Sequence, residues 1–345
     1  MTVNLPSHVS AELEKHFSNI RGSPYSKKTQ LQFLDAAKEI CNLVLPEDIK
    51  LQLRRIRDPF HRGMMIIHGI PVDQSLCPTP TDGLEPQAMD NARFIGEAAH
   101  LGLAAMINEV YTLEIEKGHR LVQTVAPRID KIDFKGSVGS AANFDFHQED
   151  RASPYCPEHI ILSCLREDIK REATTVMTGF WDIVPYLVQP EHAETLAVLQ
   201  DPTAFAIQLP MLFRQTGTTA FSNEVKGPAL FFDGSRPILC TNFNDMKGLT
   251  PRAVQALSTL HKWFTEAQSS IKMRPGDVVI LNNSQVVHTR TGTFEVRGDG
   301  TDRWLMRSFI HRQPSKRIIP RDSLPENSVE CFIAALNGEM PTARL

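Results

Sequence analysis

The amino-acid sequence predicts an α+β fold with a mainly β core and flanking helices, most of them N-terminal. Three observations carry this. Apolar residues in the first third recur at helical spacing. From residue 125 onward, short β-rich runs separated by turn signals take over. No GxGxxG or phosphate-loop pattern accompanies those strands, so a barrel or sandwich is expected rather than a doubly wound parallel sheet.

In chain order, residues 27–44 (KKTQLQFLDAAKEICNLV) place Leu31, Leu34, Ala37, Ile40 and Leu43 three or four apart, which predicts an amphipathic helix. A short second helix follows Pro46 and ends near Arg57. GMMIIHGIP (63–71) is an apolar run bounded by glycine and proline, the pattern of a buried strand. CPTPTDGLEP (77–86) is a loop by its prolines and glycine, and a helix is expected over about 87–106. Strands are predicted at 159–164, 173–179, 228–232, 237–241, 277–281 and 303–311, with turns such as FDGSRP and RPGD between them. One helix interrupts at about 250–268, with Thr250 as N-cap before Pro251 at its first position. The tail from about 313 is polar except around CFIAAL.

The chain of 345 residues, 41% hydrophobic and 22% charged, is expected to fold as a single domain over 1–345. Within it, 1–60 reads as a helical N-terminal extension, about 60–312 as the core with inserted helices, and 313–345 as a C-terminal tail. A net charge of −3 gives no reason to expect nucleic acid or a membrane surface as a partner. The six cysteines form no CxxC pair, which disfavours a disulfide framework or thiolate metal site and suits a cytoplasmic protein. No run of about 18 apolar residues occurs, so no membrane span is expected.

Chemistry concentrates first in FDFHQED (144–150). Residues two apart on a strand share a side, so His147 and Glu149 project together and Gln148 faces away. A second histidine, His288, follows the predicted strand DVVIL and the turn NNSQ. Two histidines and one carboxylate on one face of a metal make the triad of non-haem Fe(II) oxygenases. Arg303 and Arg307, four apart on one strand, share a face. Guanidinium forks pair with carboxylates, and two inward arginines suit two of them, a cosubstrate's and a substrate's.

The stretches SVGSAANFDFHQEDRASPY (137–155), LSCLREDIKREATTV (162–176), RPGDVVILNNSQVVHTR (274–290) and DGTDRWLMRSFI (299–310) resemble the clavaminate synthase-like group of Fe(II)/2-oxoglutarate oxygenases. Its best-known members hydroxylate free arginine, asparagine or lysine, and the resemblance runs from about 60 to 312. It implies a double-stranded β-helix (jelly-roll) core. It further implies Fe(II), 2-oxoglutarate and O₂ as reactants, with His147, Glu149 and His288 as iron ligands. Arg303 and Thr175 match the grip on the 2-oxoglutarate distal carboxylate, and Arg307 the partner of the substrate α-carboxylate. Ser137 matches a serine near the substrate backbone, and Glu116, with Glu114 as its rival, an acid that binds the substrate amine. Halogenating relatives lack the carboxylate ligand, so Glu149 points to oxygenation.

One departure bears on the substrate. Relatives acting on arginine or lysine carry acidic residues in the segment that reads CTNFNDMKG (240–248) here, which offers Asn242 and Asn244, with Asp245 one step on. Amides hydrogen-bond a neutral polar group but do not neutralise a buried cation. A small-molecule amino acid is therefore expected as substrate, without presuming arginine. Whether it is free or tethered to a carrier protein stays open, and a desaturase or cyclising oxygenase would use the same residues. A non-catalytic metal-binding protein and a zinc hydrolase are the other classes; the second lacks an HExxH helix. Outside the site, His68 is expected in the core and His8, His16, His192 and His261 on solvated helix faces.

Overall fold

The computed structural model describes residues 1–82, 92–114, 118–142, 144–153, 155–208, 224–314 and 317–319. Four helices occupy the N-terminal third: α1 (Ser7–Phe17), α2 (Gln30–Val44), α3 (Glu47–Arg55) and α4 (Ile95–Ile107). They pack on one face of a mixed sheet. Its strands run in the order β1 (Thr2–Asn4), β2 (Met64–His68), β14 (Val278–Asn282), β6 (His159–Arg166), β16 (Trp304–His311), β3 (Glu109–Leu113) and β17 (Ile318–Ile319), with β4 (Gln123–Val125) also pairing with β16.

A second, antiparallel sheet has the order β13 (Ser269–Ile271), β7 (Thr174–Gly179), β15 (Val286–Thr291) and β5 (Phe144–His147). Two smaller pieces complete the strands: β12 (Met246–Gly248), β8 (Phe205–Gln208) and β9 (Glu224–Gly227) in one, and the hairpin β10 (Leu230–Asp233) with β11 (Arg236–Leu239) in the other. Helices α5 (Phe180–Leu187), α6 (Ala193–Leu199) and α7 (Pro251–Ala267) join the second sheet's side.

Strand alternation sorts the apolar residues into two cores. On β14, Val278 and Ile280 join the helical layer while Val279 and Leu281 join the core shared with the second sheet. On β16, Trp304, Met306 and Ile310 face the helices, and Leu305 and Phe309 face the other way. A strand with both faces buried reads as a continuous apolar run, as VVIL and WLM do. The space between the sheets is thereby set to receive whatever polar residues occupy the inward register of β16.

Local signals account for most boundaries. The Thr250 hydroxyl accepts from the Ala253 amide at 3.1 Å, and Pro251 opens α7. In the RPGD turn Gly276 has φ +86°, and a Cβ there would meet the Ile70 carbonyl oxygen at 2.6 Å, so only glycine fits.

The phase of α2 differs from the expected stripe. Its buried face is Gln30, Phe33, Leu34, Ala37 and Cys41, and Leu43 is 73% exposed. Two apolar stripes overlap on this helix, and packing against α4 selects the one carrying Phe33. His68 is half-exposed rather than in the core, its Nδ1 2.7 Å from the Asp277 carboxylate. α5 contains Pro185, which reads as a helix breaker in sequence; the helix ends within one turn of it.

Candidate active site

His147 is the last residue of β5, and in the pairing of β5 with β15 it stands directly opposite His288. Cross-strand neighbours share a face, so the two imidazoles lie with ring centroids 4.3 Å apart. Glu149 lies beyond the strand, in a turn held from both sides. The Asn283 side chain accepts from the Glu149 amide and donates to its carbonyl, both at 2.9 Å. Gln148 is exchanged with Thr241 through backbone and side chain, at 3.1 and 2.9 Å. The Glu149 carboxylate therefore turns back to within 3.5 Å of His288 Nε2 and 3.9 Å of His147 Nε2.

The three donor atoms all lie within 4.8 Å of one another. His147 donates from Nδ1 to the Asp145 carbonyl at 2.9 Å, and its Nε2 is buried with no hydrogen-bond partner among the described residues. An imidazole whose other nitrogen is fixed by a carbonyl presents a lone pair for a metal. Two nitrogens and one carboxylate oxygen suit a divalent transition metal and leave coordination positions open.

Burial, with help from His288, pushes His147 down to about 3, so the ring is neutral as ligation requires. For Glu149 burial pushes upward, but the Arg307 guanidinium and the contact to His288 outweigh it and hold the carboxyl well below the usual range. Arg307 spends Nη1 on Glu149 Oε2 at 2.5 Å and Nε and Nη2 on Gln123 Oε1 at 2.9 and 2.5 Å. Gln123 reaches it because β4 pairs with β16 in the register Arg307–Gln123.

A cavity of about 60 Å³ between the sheets is lined by His147, Glu149, His288 and Arg307 and by Thr175, Arg290 and Arg303, among others. Arg303 and Arg290 flank one ring: their guanidinium carbons lie 5.7 and 5.5 Å from the Phe294 centroid. Arg290 donates to the Gly139 and Ala142 carbonyls. Among the described residues neither arginine has a carboxylate within 4 Å, and Arg303 makes no hydrogen bond. Burial pushes Arg303 down, and burial with the neighbouring Arg303 pushes Arg290 down to about 10. Two buried guanidiniums without an anion leave a strong requirement for one.

A wider cavity of about 270 Å³ continues outward past Ser137, Phe144 and Glu149 to Gln208, Asn242 and Asp245. Ser137 borders both cavities. Its loop is tight: a Cβ on Gly139 would lie 1.9 Å from the Phe134 carbonyl oxygen.

Several residues sit otherwise than their sequence suggests. Asn242 bridges backbone-to-backbone with His147 and faces the outer cavity, but the chain turns at 243–245. Asn244 is therefore re-aimed: its amide accepts from the Asp145 amide at 3.0 Å and donates to the Asp145 carbonyl at 3.2 Å, away from the substrate space. Asp245 is exposed and accepts from Asn242 at 3.2 Å. Glu116 lies outside the described residues, and Glu114 is exposed and lines neither cavity. His261 is not simply solvated, since its Nε2 meets Asp145 Oδ1 at 2.9 Å. Sequence reading missed Gln123, Asn283 and Arg290; only Arg290 left a signal, its two-residue offset from His288 on the same strand.

A buried two-histidine, one-carboxylate cluster between facing β-sheets, beside arginines that lack anions, defines the class: a non-haem metal oxygenase. The chain belongs to the family described as Taurine catabolism dioxygenase TauD, TfdA family, which matches residues 28–309. It is 31% identical over 258 residues to an L-asparagine oxygenase of Streptomyces coelicolor, spanning 74% of this chain and 72% of that one. To an L-lysine 3-hydroxylase of Catenulispora acidiphila it is 25% identical over 291 residues, spanning 84% and 78%. A solved asparagine oxygenase, in complex with Fe(II), 2S,3S-3-hydroxyasparagine and succinate, superposes with a TM-score of 0.78 at 27% identity, covering 92% of this chain and 99% of that one.

Proposed function

We propose that this protein is an Fe(II)/2-oxoglutarate-dependent oxygenase that hydroxylates an unactivated C–H bond of a free amino acid, releasing succinate and CO₂. The single observation that carries the reading is the direct register of His147 against His288, with the Glu149 carboxylate folded back to both. In this reading those three residues hold iron, and the two sheets form the jelly-roll of one oxygenase domain. The relatives' activities and the iron, succinate and hydroxyamino acid in the solved relative support it.

Bound iron, with 2-oxoglutarate and O₂, supplies the oxidising power; the chain's own residues supply placement. Arg303 and Thr175 receive the distal carboxylate of 2-oxoglutarate, because Arg303 is an inward guanidinium that has no hydrogen bond or carboxylate partner among the described residues. Arg307 is pre-set by Gln123 to receive the amino acid's α-carboxylate beside the metal. Ser137 and Asn242 border the side-chain space. Glu149 apart, the charged residues lining that space among the described residues are Lys135, Asp150, Arg151 and Asp245, two of each sign. With Asp245 already hydrogen-bonded to Asn242, this balance favours a neutral polar side chain over a cationic one. The apolar walls Val125, Leu162 and Leu305 exclude water from the reacting carbon.

The test is an anaerobic incubation with an amino-acid library, Fe(II) and 2-oxoglutarate, then air, with mass detection of a product heavier by one oxygen and assay of succinate. His147→Ala and His288→Ala should abolish both iron retention and succinate. Full activity in either variant, or no succinate from the parent with any amino acid, would overturn the reading.

A further inference from the structure

We propose that Asn244 is a positioning residue of the metal centre, acting with His261 through Asp145, and not a substrate contact. The inference rests on the iron site argued above and deepens it. One side chain bonds both peptide units that flank the Asp145 Cα. Asn244 Oδ1 accepts from the Asp145 amide at 3.0 Å, and Asn244 Nδ2 donates to the Asp145 carbonyl at 3.2 Å. The same carbonyl accepts from His147 Nδ1 at 2.9 Å. Asn244 thus donates to the 145–146 peptide, whose carbonyl orients the metal-facing imidazole, and ties down the 144–145 peptide beside it.

A second arm holds the Asp145 side chain. Its Oδ1 accepts from the Phe146 amide at 2.7 Å and meets Nε2 of His261, on α7, at 2.9 Å. His261 is itself set by edge-to-face contacts with Phe146 and Phe243 at 5.7 and 4.9 Å. The segment bearing Asn244 is zipped onto β5 by the Phe243 amide to the Phe146 carbonyl at 2.9 Å and by the bridge of Asn242 to His147. The two peptides flanking Asp145 are therefore tied by the Asn244 side chain, the Asp145 carboxylate and the 242–243 segment, and the ties converge on the carbonyl that holds His147 Nδ1. A carbonyl that fixes a ligand's tautomer and ring angle commonly governs metal affinity by about 10- to 100-fold.

The experiment compares the full-length protein with Asn244→Ala, Asn244→Asp and His261→Phe. The readouts are Fe(II) affinity in competition with a chelator, without turnover, and the amino-acid KM at saturating iron. Asn244→Asp keeps an acceptor for the Asp145 amide but loses the donor to its carbonyl, and His261→Phe keeps the aromatic packing but loses the hydrogen bond. Expected are Fe(II) affinities weaker by about 10-fold or more for both Asn244 variants, a smaller loss for His261→Phe, and amino-acid KM values within about twofold of the parent.

Parent-like Fe(II) affinity in both Asn244 variants, or a raised amino-acid KM with iron affinity intact, would overturn the proposal and return Asn244 to the substrate pocket. Failure of the parent itself to retain Fe(II) would instead overturn the iron site. Melting curves separate misfolding from a local effect. If Asn244→Ala alone unfolds, the folded Asn244→Asp variant decides the matter.

Discussion

Replacing Arg303 by methionine should separate function from stability. Arg303 is 8% exposed and, among the described residues, makes no hydrogen bond and has no carboxylate within 4 Å. Its burial already pushes its proton affinity down, the sign of a charge held out of water without compensation. Methionine keeps the length and apolar stem, packs against Phe294, and removes the uncompensated charge. The metal-free, cosubstrate-free protein should therefore melt at the same temperature as the parent or slightly higher. The bound cosubstrate, by contrast, loses a charge-assisted contact worth about 1.5–3 kcal/mol. At about 1.4 kcal/mol per factor of ten, the 2-oxoglutarate requirement should rise roughly 10- to 100-fold. Initial rates of succinate formation against 2-oxoglutarate concentration, at saturating Fe(II) and amino acid, measure the second effect; thermal melting measures the first. An unchanged 2-oxoglutarate requirement would refute the assignment. A drop of many degrees in melting temperature would show that Arg303 is a structural residue and refute the argument from its missing partners.

Two further outcomes follow from the same geometry. Arg307→Ala should raise the amino-acid KM much more than the 2-oxoglutarate KM, because Arg307 is bound to Glu149 and Gln123 on the metal side of the cavity; equal effects on both, in steady-state kinetics, would mean the two arginines exchange roles. Glu97 is fully buried with the Tyr25 hydroxyl on Oε1 at 3.0 Å and no partner on Oε2 among the described residues, and burial, with Asp73 adding, raises it from 4.5 to about 7. Between those values the folded chain holds a proton that the unfolded chain has released. The group's stabilising contribution is thus complete below pH 4.5 and is lost as pH rises through about 7. At about 1.4 kcal/mol per pH unit the effect approaches about 3 kcal/mol. Glu97→Gln should flatten this slope in denaturant melts between pH 5 and 8, and an unaltered slope would assign the dependence elsewhere.

Much of the chemistry was legible because it is local. The strand FDFH supplies one imidazole, and the turn after it brings Glu149 back beside it. Thr250–Pro251 announces α7, and the apolar runs VVIL and WLM announce strands buried on both faces. Alternation along a strand also put Arg303 and Arg307 on one side, where the cavity finds them. These are properties of a few consecutive residues, fixed by backbone geometry.

What the tertiary structure alone decided is which distant segments meet, and how far the two-residue rule extends. The register that sets His147 against His288, and Gln123 against Arg307, depends on strand pairings between segments far apart in the chain. Asn242 obeys strand alternation and faces the cavity, but the turn after it re-aims Asn244 onto the Asp145 backbone. On α2, two overlapping apolar stripes left the buried face to be chosen by packing, which took Phe33 and left Leu43 in solvent. Sequence set the residue types and their local direction; long-range pairing and turns, which bring together groups with no sequence relation, set which of them form the site.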